Sequence, residues 1–169
     1  MRITKPMPIY RQLNNRINQI PILSDSNSSK YIYNLAKKIG KQLNAEVVNI
    51  KSGYTRVKGD EGINHLYNVG PREFISVFNH AVYVITDSFH GTAFSINFNI
   101  PFTTLLNPVS KINGRALSIL RMTNTMNRMI YDDGSNKEPD TLIMDYTFIN
   151  SIIDNWREKS NKFILDNIL

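Results

Sequence analysis

No cysteine occurs among the 169 residues, which excludes a disulfide framework and any thiolate-held metal centre. Nor does any apolar run approach the roughly 18 residues needed to cross a bilayer. Met1-Arg2-Ile3-Thr4-Lys5 carries no visible secretory signal. A cytoplasmic location is therefore expected, with at most peripheral membrane contact. The chain lacks a Gly-x-Gly-x-x-Gly loop, which argues against a dinucleotide cofactor. No His/Asp/Glu cluster has metal-ligand spacing, and neither an internal repeat nor an arginine-rich tract is present. Imidazole chemistry is confined to three residues: His65, His80 and His90.

What remains is an ordinary globular composition, 41% hydrophobic and 20% charged, long enough for one domain with its own core. Twenty basic residues against 14 acidic ones give a net charge of +6, which favours anionic partners. The basic residues are dispersed, with only Lys37-Lys38 adjacent. That pattern points to general anion attraction and away from nucleic acid.

Residues 1–29 read as an irregular N-terminal segment or a truncated linker, with Pro6, Pro8, Pro21 and the Ser24–Ser29 polar run. Within them Ile20–Leu23 could form a short first strand. Residues 30–169 read as one domain of alternating helices and strands. Ile32, Leu35, Ala36, Ile39 and Leu43 mark an amphipathic helix, with Ser28 or Ser29 as its N-cap. Ala45–Ile50 is a strand, and Lys51–Leu66, with three glycines, reads as irregular. Gly70-Pro71 opens a helix to about His80. Pro101–Leu106 reads as a strand, Gly114 to about Thr123 as a helix and Arg128–Tyr131 as a last strand. Tyr146–Leu169 is helical, with Phe148, Ile152, Ile153, Trp156, Phe163, Ile164 and Ile168 expected to face inward. Such alternation predicts an α/β fold: a Rossmann-like, three-layer domain with a mostly parallel sheet.

The most informative stretch lies between these elements. Val82–Ile85 is an apolar, β-favouring run that breaks into Thr86, Asp87, Ser88, Phe89, His90, Gly91 and Thr92 before a helical stretch from Ala93 to Asn99. Polar groups at the carboxyl end of a buried parallel strand, ahead of a helix N-terminus, stand where open α/β sheets bind ligands. The helix start offers N–H groups to a phosphate or carboxylate. An ordinary strand–turn–helix capped by Asp87 or Ser88 accounts for the same residues.

Thr86-Asp87-Ser88-Phe89-His90-Gly91-Thr92-Ala93-Phe94-Ser95-Ile96, followed by Pro101-Phe102, resembles the signature of the polysaccharide pyruvyl transferase family. Gly70-Pro71-Arg72-Glu73-Phe74, Asn113-Gly114-Arg115 and the Arg157–Leu165 helix match in order. The resemblance covers roughly residues 30–169 and only the family's carboxyl-terminal half. It implies the C-terminal half of a two-domain, GT-B-type architecture, with a missing N-terminal domain or a homo-oligomer partner completing the site. It also implies pyruvyl transfer from phosphoenolpyruvate to two hydroxyls of a saccharide or lipid-linked glycan acceptor, without a cofactor or metal. A non-catalytic module for an anion or phosphosugar, and a fragment of a nucleotide-sugar glycosyltransferase, are the alternatives.

For that chemistry His90 is the expected catalytic residue, since an imidazole can hold phosphate as a cation or deliver a proton. Asp87, Ser88, Gly91, Thr92, Arg115 and Glu73 are the expected substrate-binding set. Asp87 is read as orienting His90 or capping the helix, and Gly91 and Thr92 as N–H donors to the anion. Ser88 replaces the arginine of many family members, and a hydroxyl cannot supply that charge. Arg115 is the alternative cation, or a solvated residue at a helix start. Glu73, at the third position of its helix, complements the dipole or grips a donor hydroxyl. Tyr31, Tyr33, Tyr54, Tyr67 and Tyr83 could include a sugar-stacking platform.

Overall fold

The computed structural model describes residues 18–24, 30–50, 59–110 and 113–168. In chain order the strands are β1 (Gln19–Leu23), β2 (Glu46–Ile50), β3 (Asn64–Leu66), β4 (Val84–Thr86), β5 (Phe102–Leu106) and β6 (Met129–Tyr131). The helices are α1 (Lys30–Leu43), α2 (Pro71–Asn79), α3 (Phe89–Asn97), α4 (Gly114–Met122) and α5 (Thr147–Ile168), with a 3-10 turn at Met126–Arg128.

The six strands form one parallel sheet in the order β3-β2-β1-β4-β5-β6. This Rossmann-like order reverses direction between β1 and β4, the place where such sheets leave a crevice at their carboxyl edge. Both faces of the sheet are covered, as a parallel sheet requires. On one side Ile20, Ile22, Ile85 and Leu105 pack against Ile32, Leu35 and Ile39 of α1. On the other, Leu23, Val84 and Phe102 meet Phe78, Ile96, Leu120 and Ile149 from the remaining helices. Each such fully buried large side chain stabilises the fold by about 1.5–3 kcal/mol.

Helix α1 follows its sequence pattern closely, burying Ile32, Leu35, Ala36 and Ile39. It stops at Asn44, which takes the left-handed conformation at φ 47° that ends many helices. The expected caps Ser28 and Ser29 lie outside the described residues, as do residues 51–58 and Tyr54.

Three expectations are corrected. The domain does not begin at residue 30, because β1 pairs with β2 on one side and β4 on the other. It is a central strand, fully buried, despite Pro21. The local irregularity explains the proline. Three residues carry β1 from its bridge at Gln19 to Ile22, while four carry the neighbouring chain from Ala81 to Ile85. That extra residue is a bulge, opposite the position where proline cannot donate. It also delays the start of β4 to Val84, two residues past the expected Val82.

The second correction concerns Asn64–Leu66, which forms edge strand β3 on β2 where an irregular segment was expected. The third is α5. Only Ile149 is buried along it, with Ile152 and Ile153 half-buried. Phe148, Trp156, Phe163, Ile164 and Ile168 are exposed, although Arg157 still reaches the Asn97 side chain of α3 at 3.2 Å. The root of α5 is fixed by Tyr146, whose buried hydroxyl donates to the Ile100 carbonyl at 2.5 Å. Burial pushes the Tyr146 phenol above its ordinary range. Just before the helix, the buried Arg128 guanidinium donates to the carbonyls of Thr141 (2.7 Å) and Ile143 and pins that segment down.

Candidate functional site

The carboxyl ends of β1 and β4 meet at the reversal point, where Leu23 is in register with Thr86. The Thr86 hydroxyl donates to the Leu23 carbonyl at 2.7 Å, and the Asp87 N–H donates to the same carbonyl at 3.2 Å. The next residues are also joined, since the Ser24 hydroxyl donates to Asp87 Oδ2 at 2.6 Å. Ser24, in the segment read as irregular or as a truncated linker, therefore stands at the crevice. Sequence reasoning missed Ser24, although its place after an apolar run was the available signal.

The chain then turns into α3. Ser88 is its N-cap, with extended backbone (φ −90°, ψ 136°) and a side chain accepting from the His90 N–H at 3.2 Å. The Ser88 N–H is itself held by Thr86 Oγ1 at 3.0 Å. Between the two suggested caps, the structure selects Ser88, and Asp87 instead engages β1. Ser88 is 1% exposed, so its hydroxyl is committed to the helix and does not reach a substrate. Serine here serves a structural purpose that arginine could not.

Thr92 is likewise withdrawn from direct binding. Its N–H and hydroxyl both donate to the Ser88 carbonyl, each at 3.1 Å, and its Oγ1 lies 2.9 Å from Thr104 Oγ1. The expected N–H donor at this position is already spent on the first helical bond. Gly91 lies one residue earlier, buried against β4: a Cβ placed there would sit 2.2 Å from Thr86 Oγ1. Glycine lets α3 start hard against the strand, the packing such motifs require.

His90, at the second helical position, is exposed. Its ring stands edge-on to Phe89, with centroids 5.5 Å apart. The guanidinium of Arg115, from the first turn of α4, lies 5.3 Å from the centre of the same Phe89 ring. The half-buried Phe89 thus joins the exposed imidazole and the exposed cation into one group at the sheet's carboxyl edge. A cation over an aromatic face is held by the ring quadrupole, so Arg115 is placed there rather than left loose. Phe89 carried no signal of its own in the sequence.

Glu73 occupies the third position of α2, and its carboxylate folds back over Gly70, where an added Cβ would fall 2.7 Å from Oε2. That position complements the start of its own helix. Tyr33 and Tyr83 are fully buried and therefore belong to the core, not to a stacking platform. His80 ends α2 with Nδ1 2.7 Å from the Ser76 carbonyl. His65, on β3, has Nε2 3.2 Å from Asp60 Oδ2. Neither joins the crevice group. Among the described residues no group of three His, Asp or Glu side chains could hold a metal. No described helix is long and apolar enough to cross a membrane.

The site therefore couples an exposed imidazole, a guanidinium and a helix start with a carboxylate held across the sheet's reversal point. Its fold is a parallel, Rossmann-like sheet. The family model for polysaccharide pyruvyl transferase matches residues 5–108, more than half of the chain, and the chain belongs to that family. The match includes β1 and the whole crevice from Ser24 to Thr92. It begins and ends earlier than residues 30–169, leaving Arg115 and α5 outside it.

No curated protein matches the chain. Among solved structures it is similar to the spinosyn rhamnosyltransferase SpnG, at 14% identity and a TM-score of 0.50 over 83% of this chain and 40% of that one. It is also similar to the UDP-GlcNAc 2-epimerase of Methanocaldococcus jannaschii (11% identity, TM-score 0.49, 86% and 41% covered). The E. coli ADP-heptose LPS heptosyltransferase II is a further match (14% identity, TM-score 0.45, 95% and 51% covered). The chain spans 40%, 41% and 51% of these three proteins.

Proposed function

We propose that this chain is the donor-binding half of a pyruvyl transferase that takes pyruvate from phosphoenolpyruvate to a saccharide or lipid-linked acceptor in the cytoplasm. The observation that carries the reading is the pairing of exposed His90 and Arg115 on the half-buried Phe89 ring beside the start of α3, at the sheet's reversal point. Phosphoenolpyruvate brings a phosphate and a carboxylate, so it needs fixed cations and N–H donors. Arg115 and the first turn of α3 supply these.

The chemistry sets the remaining roles. Protonation of the vinyl carbon leaves an oxocarbenium centre at the carbon bearing phosphate. One sugar hydroxyl adds there, a second displaces inorganic phosphate, and the ketal closes as both hydroxyl protons are taken up. His90 is suited to deliver the proton or to steady the phosphate. Asp87, an acceptor beside an anion site, is suited to a hydroxyl and not to the phosphate. The acceptor is held by a second domain or a second copy of the chain. Alone, this chain binds the donor weakly and turns over little.

Calorimetric titration of phosphoenolpyruvate against uridine diphosphate sugars tests the reading, with His90→Ala as control. Binding of phosphoenolpyruvate that His90→Ala abolishes supports it. Binding of the nucleotide sugar alone transfers the site to a glycosyltransferase reaction. Phosphate binding unaffected by His90→Ala favours the non-catalytic module.

A further inference from the structure

We propose that His65, Asn49 and Tyr33 form a proton-operated switch: when the His65 ring gains a second proton, the buried Asn49 carboxamide turns over and the charged ring grips Asp60. Residues 59–63 are thereby held to edge strand β3 more firmly at pH 5 than at pH 8. The inference lies outside the crevice and is independent of the donor reading. Asn49 and His65 stand opposite each other in the β2–β3 register. Asn49 Nδ2 lies 3.4 Å from His65 Nδ1 and donates to the Tyr33 hydroxyl oxygen, also at 3.4 Å. On the other side of the ring, Nε2 is 3.2 Å from Asp60 Oδ2. Asn49 is 2% and Tyr33 0% exposed, so solvent does not reach between them.

A carboxylate only accepts, so Nε2 carries the hydrogen of the neutral ring and Nδ1 is left as an acceptor. The Asn49 NH2 group then meets an acceptor in each direction. A second proton changes this, because Nδ1–H would face N–H at a place closed to water, which is costly. A half turn of the carboxamide brings Oδ1 to the same spot, where it accepts from Nδ1–H and from the Tyr33 hydroxyl. An asparagine amide has nearly the same shape in both orientations, with opposite polarity. Both of its contacts are longer than an ordinary hydrogen bond, so the turn breaks no tight one.

The charged ring also adds its full charge to the bond with Asp60. Asp60 anchors the segment, since its carbonyl accepts the Ile63 N–H at 3.1 Å and the buried Ile63 belongs to the core beneath α1. Lys37 of α1 holds the other end through the Gly59 carbonyl at 2.9 Å. Three more titratable groups lie around the cluster. Tyr67 stacks on His65 with ring centres 6.0 Å apart, Glu61 lies 3.9 Å from Lys37, and Glu46 of β2 accepts from Asn64 at 3.2 Å.

Nuclear magnetic resonance of the ligand-free, isotope-labelled chain from pH 8 to pH 5, the range in which imidazoles change charge, tests the switch. At pH 8 the His65 ring is expected to carry its proton on Nε2. The Overhauser contact between the Asn49 amide protons and the Tyr33 ring is expected to be strong there and to weaken with the midpoint of the His65 titration. Exchange of the Ile63 amide, corrected for its intrinsic pH dependence, is expected to slow roughly two- to fivefold toward pH 5, the range of a partly exposed ion pair. Asp60→Asn keeps an acceptor and drops the charge, so it is expected to flatten that slope. Asp60 has further interactions, which is why the slope with pH, not the level of protection, is the readout. A ring that stays in one state throughout, a neutral ring protonated on Nδ1, or an Asn49–Tyr33 contact that ignores the titration overturns the proposal. So does a slope that Asp60→Asn leaves unchanged. The first three results come from the parent chain and need no variant to fold.

Discussion

Gly91 lies so close to Thr86 that a Cβ built on it would come within 2.2 Å of Oγ1 and 2.8 Å of Cβ. Thr86 is itself buried and bonded to Leu23, so it has nowhere to retreat. Gly91→Ala is therefore expected to destabilise the chain by about 3 kcal/mol, the upper part of the range for overpacking. Chemical denaturation measures this. Adding Thr86→Ala should restore only part of the loss, because the Thr86 Cβ contact at 2.8 Å survives it.

Ser88 and His90 separate stability from binding. Ser88→Ala removes the cap on α3 and should cost about 1 kcal/mol, read as a lower Tm. His90→Ala removes an exposed ring, so its Tm should stay near that of the parent. Phosphoenolpyruvate binding should vanish in the second variant. A large fall in Tm for His90→Ala would contradict the exposed placement.

Arg128 holds the segment before α5 through the Thr141 and Ile143 carbonyls. Arg128→Met should keep much of the packing and lose both charge-assisted bonds, at a cost of about 2 kcal/mol. Limited proteolysis should then cut residues 132–145 faster than in the parent chain.

Asp145 accepts the Thr147 N–H at 2.9 Å as α5 begins, and that bond holds its carboxyl below the ordinary range. A carboxyl depressed in the folded state stabilises it fully above the unfolded pKa. The contribution disappears as pH falls through the folded value. The Tm gap between the parent and Asp145→Ala should accordingly be present at pH 7 and close below about pH 4.

Elements with clean periodicity were readable from the residues alone. Helix α1 was placed at its observed bounds because Ile32, Leu35, Ala36 and Ile39 repeat at helical spacing beside a polar face. The turn into α3 was readable because apolar β residues give way abruptly to cap types. β3 was not, since Asn64 and His65 in a three-residue edge strand carry no apolar alternation. β1 was undervalued because proline argues against a central strand, and only the neighbouring bulge makes Pro21 tolerable.

Within the site, residue types were legible and their division of labour was not. Asp87 and Ser88 are equally good caps, and only geometry shows which one turns toward β1. Ser24 and Phe89 became visible through contacts that the sequence separates or leaves unmarked. Spacing alone does not reveal which turns of a long helix find cover, and on α5 only Ile149 is buried.

The reversal in strand order also has a temporal side. β1 gains its first neighbour when residue 50 has been made, but its other edge waits for Thr86. Thr86 follows 36 residues after Ile50, which at ordinary synthesis rates takes roughly 2 to 7 s. Throughout that interval an apolar ladder is open to mispairing on the nascent chain. A strand edge left unpaired that long is the part of the sheet most exposed to pairing with another chain.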